Sequence, residues 1–333
     1  MKWVASLVTA FVACVAMAAT GVDVIAGQGR SAAPAVPDLE GTWNFSTLTP
    51  LERPAEFADR PTLTEAEAAA YLRDLTARND RDRRDGGAAV DVGRGVEEGW
   101  FDRGSSLARV RGEIRTSLII DPPNGRLPAL TAEARERQAK AAAWAKAHPA
   151  DGPEDRSLQE RCLAFNAGPP LLPGPYNNFV QVLQFADHVV IAAEMIHDAR
   201  LVPVARPPAG ASATTPAERP RVSVARWLGE PRGRWEGATL VIESQHFNGI
   251  NSLRGSDANL HLTERFTRVD RDTLLYEFTV DDPTAFTRPW TAVLPMTRAT
   301  EPMFEYACHE GNHALVDILR GARYQERTAV APR

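Results

Sequence analysis

The sequence predicts a mainly β protein of the α+β class: an antiparallel meander closed into a barrel, with two or three surface helices contributed by its N-terminal half. Three observations carry that reading. From Phe179 onward the apolar residues recur with a period of two. Turn residues cut this part into successive short segments with no helical crossover between them, the pattern of a barrel or sandwich. Helix-like patterning is confined to the preceding residues, which separates helices from strands instead of alternating them.

Taken in order, Asp38–Phe45 reads as a first strand. Thr64-Glu65-Ala66-Glu67 is a capping box, and Ala66, Ala69, Ala70 and Leu72 continue a helix over about 64–78. Residues 79–99 are charged and Gly-rich and read as a solvated loop. Thr116–Asp121 is β-branched and ends at Pro122-Pro123-Asn124-Gly125, whose Asn-Gly step signals a hairpin. Thr131 caps a second, alanine-rich helix that Pro149 ends, over about 131–148. The expected strands are then Phe179–Gln184, His188–His197, Leu201–Val204, Val222–Leu228, Thr239–Ser244, Leu260–Val269, Thr273–Val280, Trp290–Thr297 and Glu305–Cys308. Arg206–Pro220 is a Pro- and Thr-rich insertion, and a short helix over Ala314–Arg320 closes the domain. The organisation expected is a leader (1–19), a tether (20–38), one barrel domain (39–325) with helical insertions, and a tail (326–333).

The leader is read from Lys2, the apolar run Val4–Ala19 and the small residues Ala16, Ala18 and Ala19, which match a cleavable signal peptide. The run is shorter than a membrane-spanning helix requires, so no integral membrane segment is expected after processing. Lipid attachment at Cys14 is the alternative, against which Phe11 is a poor lipobox residue. A periplasmic or secreted location follows. Removal of Cys14 leaves Cys162 and Cys308, an even pair in an oxidising compartment; a disulfide between them is expected, two buried thiols being the other reading. The net charge of −5 argues against nucleic acid and anionic membranes as partners and leaves a small molecule.

Three places offer chemistry. In His188–His197, a strand would set His197 at the end of the inward row Val189, Ile191, Ala193 and Met195, with Glu194, Asp198 and Arg200 on the other face. In Leu260–Phe266, Glu264 falls on the apolar face. It must be paired or protonated there, either as half of a structural Glu–Arg pair or as a general base with a raised pKa. His261, Thr263 and Arg265 take the opposite face. The third place is Cys308-His309-Glu310-Gly311-Asn312-His313, a polar loop beside the expected disulfide, whose plainer role is a helix cap by Asn312. Tyr176 and Asn177 add groups suited to sugars or aromatic ligands. No cofactor is expected. A metal held by His197, His261 and His309 is the remaining alternative, weakened by the lack of His-x-His or His-x-x-x-His spacing.

Several stretches taken together resemble a widespread family of exported bacterial proteins known only as uncharacterised. They are Arg115–Pro123, Glu160–Leu163, Tyr176–Asn178, Glu194–Arg200, Arg232–Gly237, Leu260–Phe266 and Tyr306–Asn312. The resemblance spans residues 40–325 and implies a shared fold and site but no activity. The sequence departs from the pattern at Ala205–Pro208, Glu230-Pro231 and Ala238. Separately, Gly41-Thr42-Trp43 is similar to the Gly-x-Trp of lipocalin-like barrels. That resemblance implies a Trp closing the barrel base against a late Arg, here Arg320 or Arg323.

Two functions compete. One is an enzyme performing acid–base chemistry (hydration, isomerisation or hydrolysis) on a small molecule. His309 and His197 would be acid and base, with Glu264 as modulator, Arg200 or Arg265 as anion clamp, and Tyr176, Asn177, Glu310 and Asn312 as binding residues. It requires these groups to line one pocket. The other is a non-catalytic lipocalin-like binding protein for an apolar or aromatic ligand, which requires a pocket with few titratable groups.

Overall fold

Alternating apolar residues make sheets that must bury one face, and here the sheet buries it by closing on itself. The computed structural model describes residues 36–95, 97–165, 168–205, 224–250 and 253–330. The leader, Cys14, the tether up to residue 35, the insertion 206–220 and the last three tail residues lie outside the described residues.

The barrel strands are β1 (Gly41–Asn44), β6 (Phe179–Gln184), β7 (His188–Ala193), β8 (Ala199–Ala205), β9 (Glu230–Glu236), β10 (Thr239–Gln245), β11 (His261–Arg268), β12 (Thr273–Asp281) and β13 (Trp290–Arg298). They pair in that order, and β1 also pairs with β13, which closes a nine-stranded barrel. Neighbours are antiparallel except β8 and β9, which run parallel. A Cβ on Gly233 of β9 would lie 3.0 Å from methyls of Val202 and Val204, so the glycine permits this close approach to β8. The fold is mainly β and consistent with a lipocalin-like barrel.

Short strands β2 (Thr62–Leu63), β3 (Arg109–Val110) and β4 (Glu113–Arg115) form a separate small sheet, while β5 (Ile119–Asp121) extends the barrel sheet beside β13. The helices are α1 (Glu65–Asn79), α2 (Ala88–Gly93), α3 (Ala132–Ala147) and α4 (His313–Val330). Thr64 and Glu67 complete the capping box of α1, and the Thr131 hydroxyl accepts from Ala134 N to cap α3. No described helix is long and apolar enough to cross a membrane.

Several expectations are corrected. Val222 and Ser223 of the strand expected at Val222–Leu228 lie outside the described residues; the described part, 224–228, forms no strand, and the strand before β10 is Glu230–Glu236, joined to it by a turn at Gly237 with φ 60°. Pro122–Gly125 does turn, with Gly125 N donating to Pro122 O, but no hairpin follows: β5 pairs with the distant β13. Part of the stretch read as loop forms α2. Glu305–Cys308 joins no strand, and the closing helix runs through the expected tail to Val330.

The pairings place the ends of β1, β7, β10 and β12 and the starts of β6, β8, β9, β11 and β13 at one end of the barrel. The opposite end is closed by Trp43. Its indole N–H donates to Leu39 O at 3.0 Å, and the guanidinium groups of Arg298 and Arg268 lie 4.6 and 5.5 Å from its ring. The φ of Gly41 is +137°, which favours glycine, and a Cβ there would also displace the Arg298 guanidinium, whose Nη1 lies 2.4 Å from its position. Arg298 thus takes the role expected of Arg320 or Arg323. Arg323 is spent on α4 and the carbonyls of Ala150 and Asp151; Arg320 lies near Asp317.

Candidate functional site

The inward faces of the strands fill the barrel themselves. Trp43, Phe266, Tyr276, Phe278 and Trp290 are at most 1% exposed, and consecutive rings from Phe266 to Trp290 stand 4.7 to 5.6 Å apart. Among the described residues a single buried ion pair interrupts this packing. Glu264, fully buried, receives Arg200 in a two-pronged bond, Nη1 to Oε2 at 2.5 Å and Nη2 to Oε1 at 2.9 Å. Tyr276 Oη donates to Oε1 at 2.7 Å and accepts from Leu171 N at 3.1 Å. Burial holds the Tyr276 phenol well above its ordinary pKa, and the Glu264 carboxylate adds to that. Leu171 is itself fully buried, so the Gly168–Pro175 segment reaches down to the barrel's polar centre.

Arg200 was expected on the outer face, and the reason it turns inward is local. β7 stops at Ala193. Glu194–Asp198 make a tight turn in which Ile196 and His197 adopt φ 58° and 55°, and Ala193 N donates to Asp198 O. Pairing resumes with Ala192 opposite Ala199 and Ile191 opposite Arg200, which puts Arg200 on the buried face of Ile191. The two left-handed residues displace His197 from the inward row and leave it exposed.

His197 and its neighbours perform a different task. His197 Nε2 accepts from Tyr306 N at 3.1 Å, and buried Glu194 accepts from Phe304 N at 3.0 Å through Oε1. Glu194 Oε2 is buried with no hydrogen-bond partner among the described residues. The segment carrying Phe304 and Tyr306 is thereby fastened to the β7–β8 turn, and Tyr306 stacks near Tyr176, centroids 6.3 Å apart. Beyond it Cys308 is bonded to Cys162. Asn312 caps α4 by accepting from Leu315 N, and its amide donates to Glu160 O at 2.8 Å and reaches Cys162 Sγ. Burial raises the Asp198 carboxyl above its usual range against the opposing pull of Arg200 and His197.

The residues singled out from the sequence therefore divide among five places. Glu264 and Arg200 are in the core. His197, Tyr176, Asn312 and both cysteines form the clasp on the C-terminal segment. His309 and Glu310 are exposed on the turn between Cys308 and α4. Arg265 is on the outer barrel face, paired with Glu236 at 2.7 Å, and His261 shares that face. Asn177 is a left-handed turn residue; the amide that organises its loop is the neighbouring Asn178, which bonds Asp102 O and both backbone groups of Gly174. No group of three or more His, Cys, Asp or Glu residues able to hold a metal exists among the described residues, so His197, His261 and His309 are not gathered into one site.

Open space occurs where sequence patterns gave little warning. At the loop-bearing end, a cavity of about 230 Å3 is lined by Ala164, Phe165, Gly168, Pro169, Pro170, Leu172, Trp227, Phe247, Leu253 and Leu260. None of these side chains titrates. A second cavity, about 370 Å3, lies on the other side of Leu172 and includes Thr47, Thr49, Asn79, Arg103 and Arg254. The one legible signal for this region was the Gly168–Pro175 run, since Pro and Gly punctuate loops. A third cleft, about 370 Å3, adjoins the disulfide at Tyr306 and Asn312. No protein-family model, curated protein or solved structure matches the chain.

Proposed function

We propose that the protein is an exported, non-catalytic binding protein that takes a small apolar or aromatic molecule at the loop-bearing end of its barrel. One observation carries this reading: among the described residues, the wall of the 230 Å3 cavity is built from aliphatic, aromatic and proline side chains without a titratable group. Apolar surface removed from water there is worth roughly 25 cal/mol per Å2, and the rigid proline wall limits the ordering that binding requires. A cavity of this size suits a ligand of one or two rings.

The acid–base reading has less support. Its intended acid, base, modulator and clamp are spread over the core, the clasp, a surface turn and the outer barrel wall, and proton transfer needs donor and acceptor within hydrogen-bond reach. Export is supported by the disulfide together with the leader-like N-terminus. We propose kinship with the exported bacterial proteins that its motif set resembles; the Glu194–Arg200 and Tyr306–Asn312 motifs would then serve to anchor the C-terminal segment.

Titration calorimetry with 2-naphthamide, a neutral two-ring probe, tests the reading. Saturable one-to-one binding is expected, and Leu172→Trp, which fills the space, is expected to abolish it while circular dichroism stays unchanged. No binding by the native chain, or equal binding by the folded variant, would sink the proposal.

A further inference from the structure

The apolar cavity has an immediate neighbour. Leu172 lines both it and the neighbouring 370 Å3 cavity, and consecutive residues divide between them, Leu253 facing the first and Arg254 the second. Among the described residues, the second cavity carries two guanidinium groups and no carboxylate on its wall. Arg103 is already committed: it pairs with Glu98 and stacks 3.7 Å from the Phe101 ring. Arg254 is different. It is exposed, holds a left-handed backbone (φ 55°), and forms no ion pair or side-chain hydrogen bond with any described residue. A cation with no partner among the described residues, on the wall of the cavity next to the apolar one, fits the acidic end of an amphipathic molecule whose apolar part lies beyond Leu172.

We infer that the ligand is a small hydrophobic carboxylate, its rings or chain in the cavity walled by Leu172, Phe247 and Leu260 and its acid on Arg254. This rests on the binding reading above and adds the chemical class of the ligand. Arginine is suited to the task because its planar fork matches a carboxylate and stays charged at every relevant pH. The acid remains at the solvent-facing rim, so the ligand avoids the cost of burying a charge.

The test compares 2-naphthoate with 2-naphthamide on the oxidised full chain by calorimetry, in the native protein and in Arg254→Gln. The native protein is expected to favour the acid by about fivefold, the upper range for a partly solvated ion pair. In Arg254→Gln the acid should weaken to the affinity of the amide, while the amide is unaffected. Equal affinity for both probes in the native protein, or an acid preference that survives the substitution, overturns the carboxylate assignment and leaves the apolar cavity standing. Failure of both probes to bind overturns the two readings together.

Discussion

Glu264 illustrates what a single residue means in a β barrel. On an apolar face it is out of place by hydropathy, yet Arg200 and Tyr276 satisfy it inside the barrel. Such a pair gives little net stability relative to apolar residues of the same shape, but breaking it leaves a charge stranded. Glu264→Gln is therefore expected to destabilise by about 3–5 kcal/mol in urea unfolding, whereas Arg200→Met combined with Glu264→Leu should cost much less than the sum of the single changes. Asp198 acts in the opposite sense. Its folded pKa is raised by burial, so the native state holds a proton that the unfolded chain releases sooner. Stability then falls as pH rises from the ordinary carboxyl range through the raised value. Asp198→Asn removes that penalty: thermal melts should show a gain near neutral pH that disappears below about pH 3.5, and a loss at neutral pH would contradict the assignment.

Among the elements, the C-terminal segment depends most on ties other than packing. Residues 302–307 join no sheet, and α4 has no buried residue among those described. What holds them is a pair of backbone-to-side-chain bonds from Phe304 and Tyr306, the Cys162–Cys308 bond, Asn312 with its cap and its bond to Glu160 O, and the Arg323 guanidinium on the carbonyls of Ala150 and Asp151. Few buried contacts mean a low local opening energy. Reduction should free this segment first: trypsin is expected to cut at Arg320, Arg323 or Arg327 in the reduced protein well before the barrel unfolds, while far-ultraviolet dichroism keeps its strand signal. Simultaneous loss of both would show that the disulfide holds the barrel itself. The β7–β8 turn belongs to the same element-level account. Left-handed Ile196 and His197 are costly individually, and together they create the surface that receives the segment.

At the scale of the molecule the two barrel ends have separate duties. Trp43, Gly41, Arg268 and Arg298 seal one; loops, cavities and clasp gather at the other. Gly41→Ala drives a methyl into Arg298 at a φ that alanine avoids, and a cost of about 1–3 kcal/mol is expected. Because the filled core lies between, the variant should lower the melting temperature and leave the 2-naphthamide affinity unchanged. A parallel loss of affinity would mean that the two ends are coupled.

The sequence alone determined the barrel class and the helices at Glu65–Asn79 and Ala132–Ala147, and it favoured pairing of Cys162 with Cys308 over two buried thiols. It also singled out Glu264 as a buried carboxylate needing a partner. These are legible because period-two hydropathy, cap residues, cysteine parity and the cost of a buried charge are local or pairwise rules. It did not identify Arg298 as the partner of Trp43, because β13 meets β1 only when the barrel closes. Nor did it place Arg200 beside Glu264: two left-handed residues reversed the strand parity, and no local signal announces a non-glycine residue at positive φ. The tertiary structure alone decided that Glu194, His197, Cys308 and Asn312 fasten the C-terminal segment and that the open space lies among loops rich in Pro and Gly. Cavities are set by how distant loops pack, and that information is spread over residues with no sequence pattern in common.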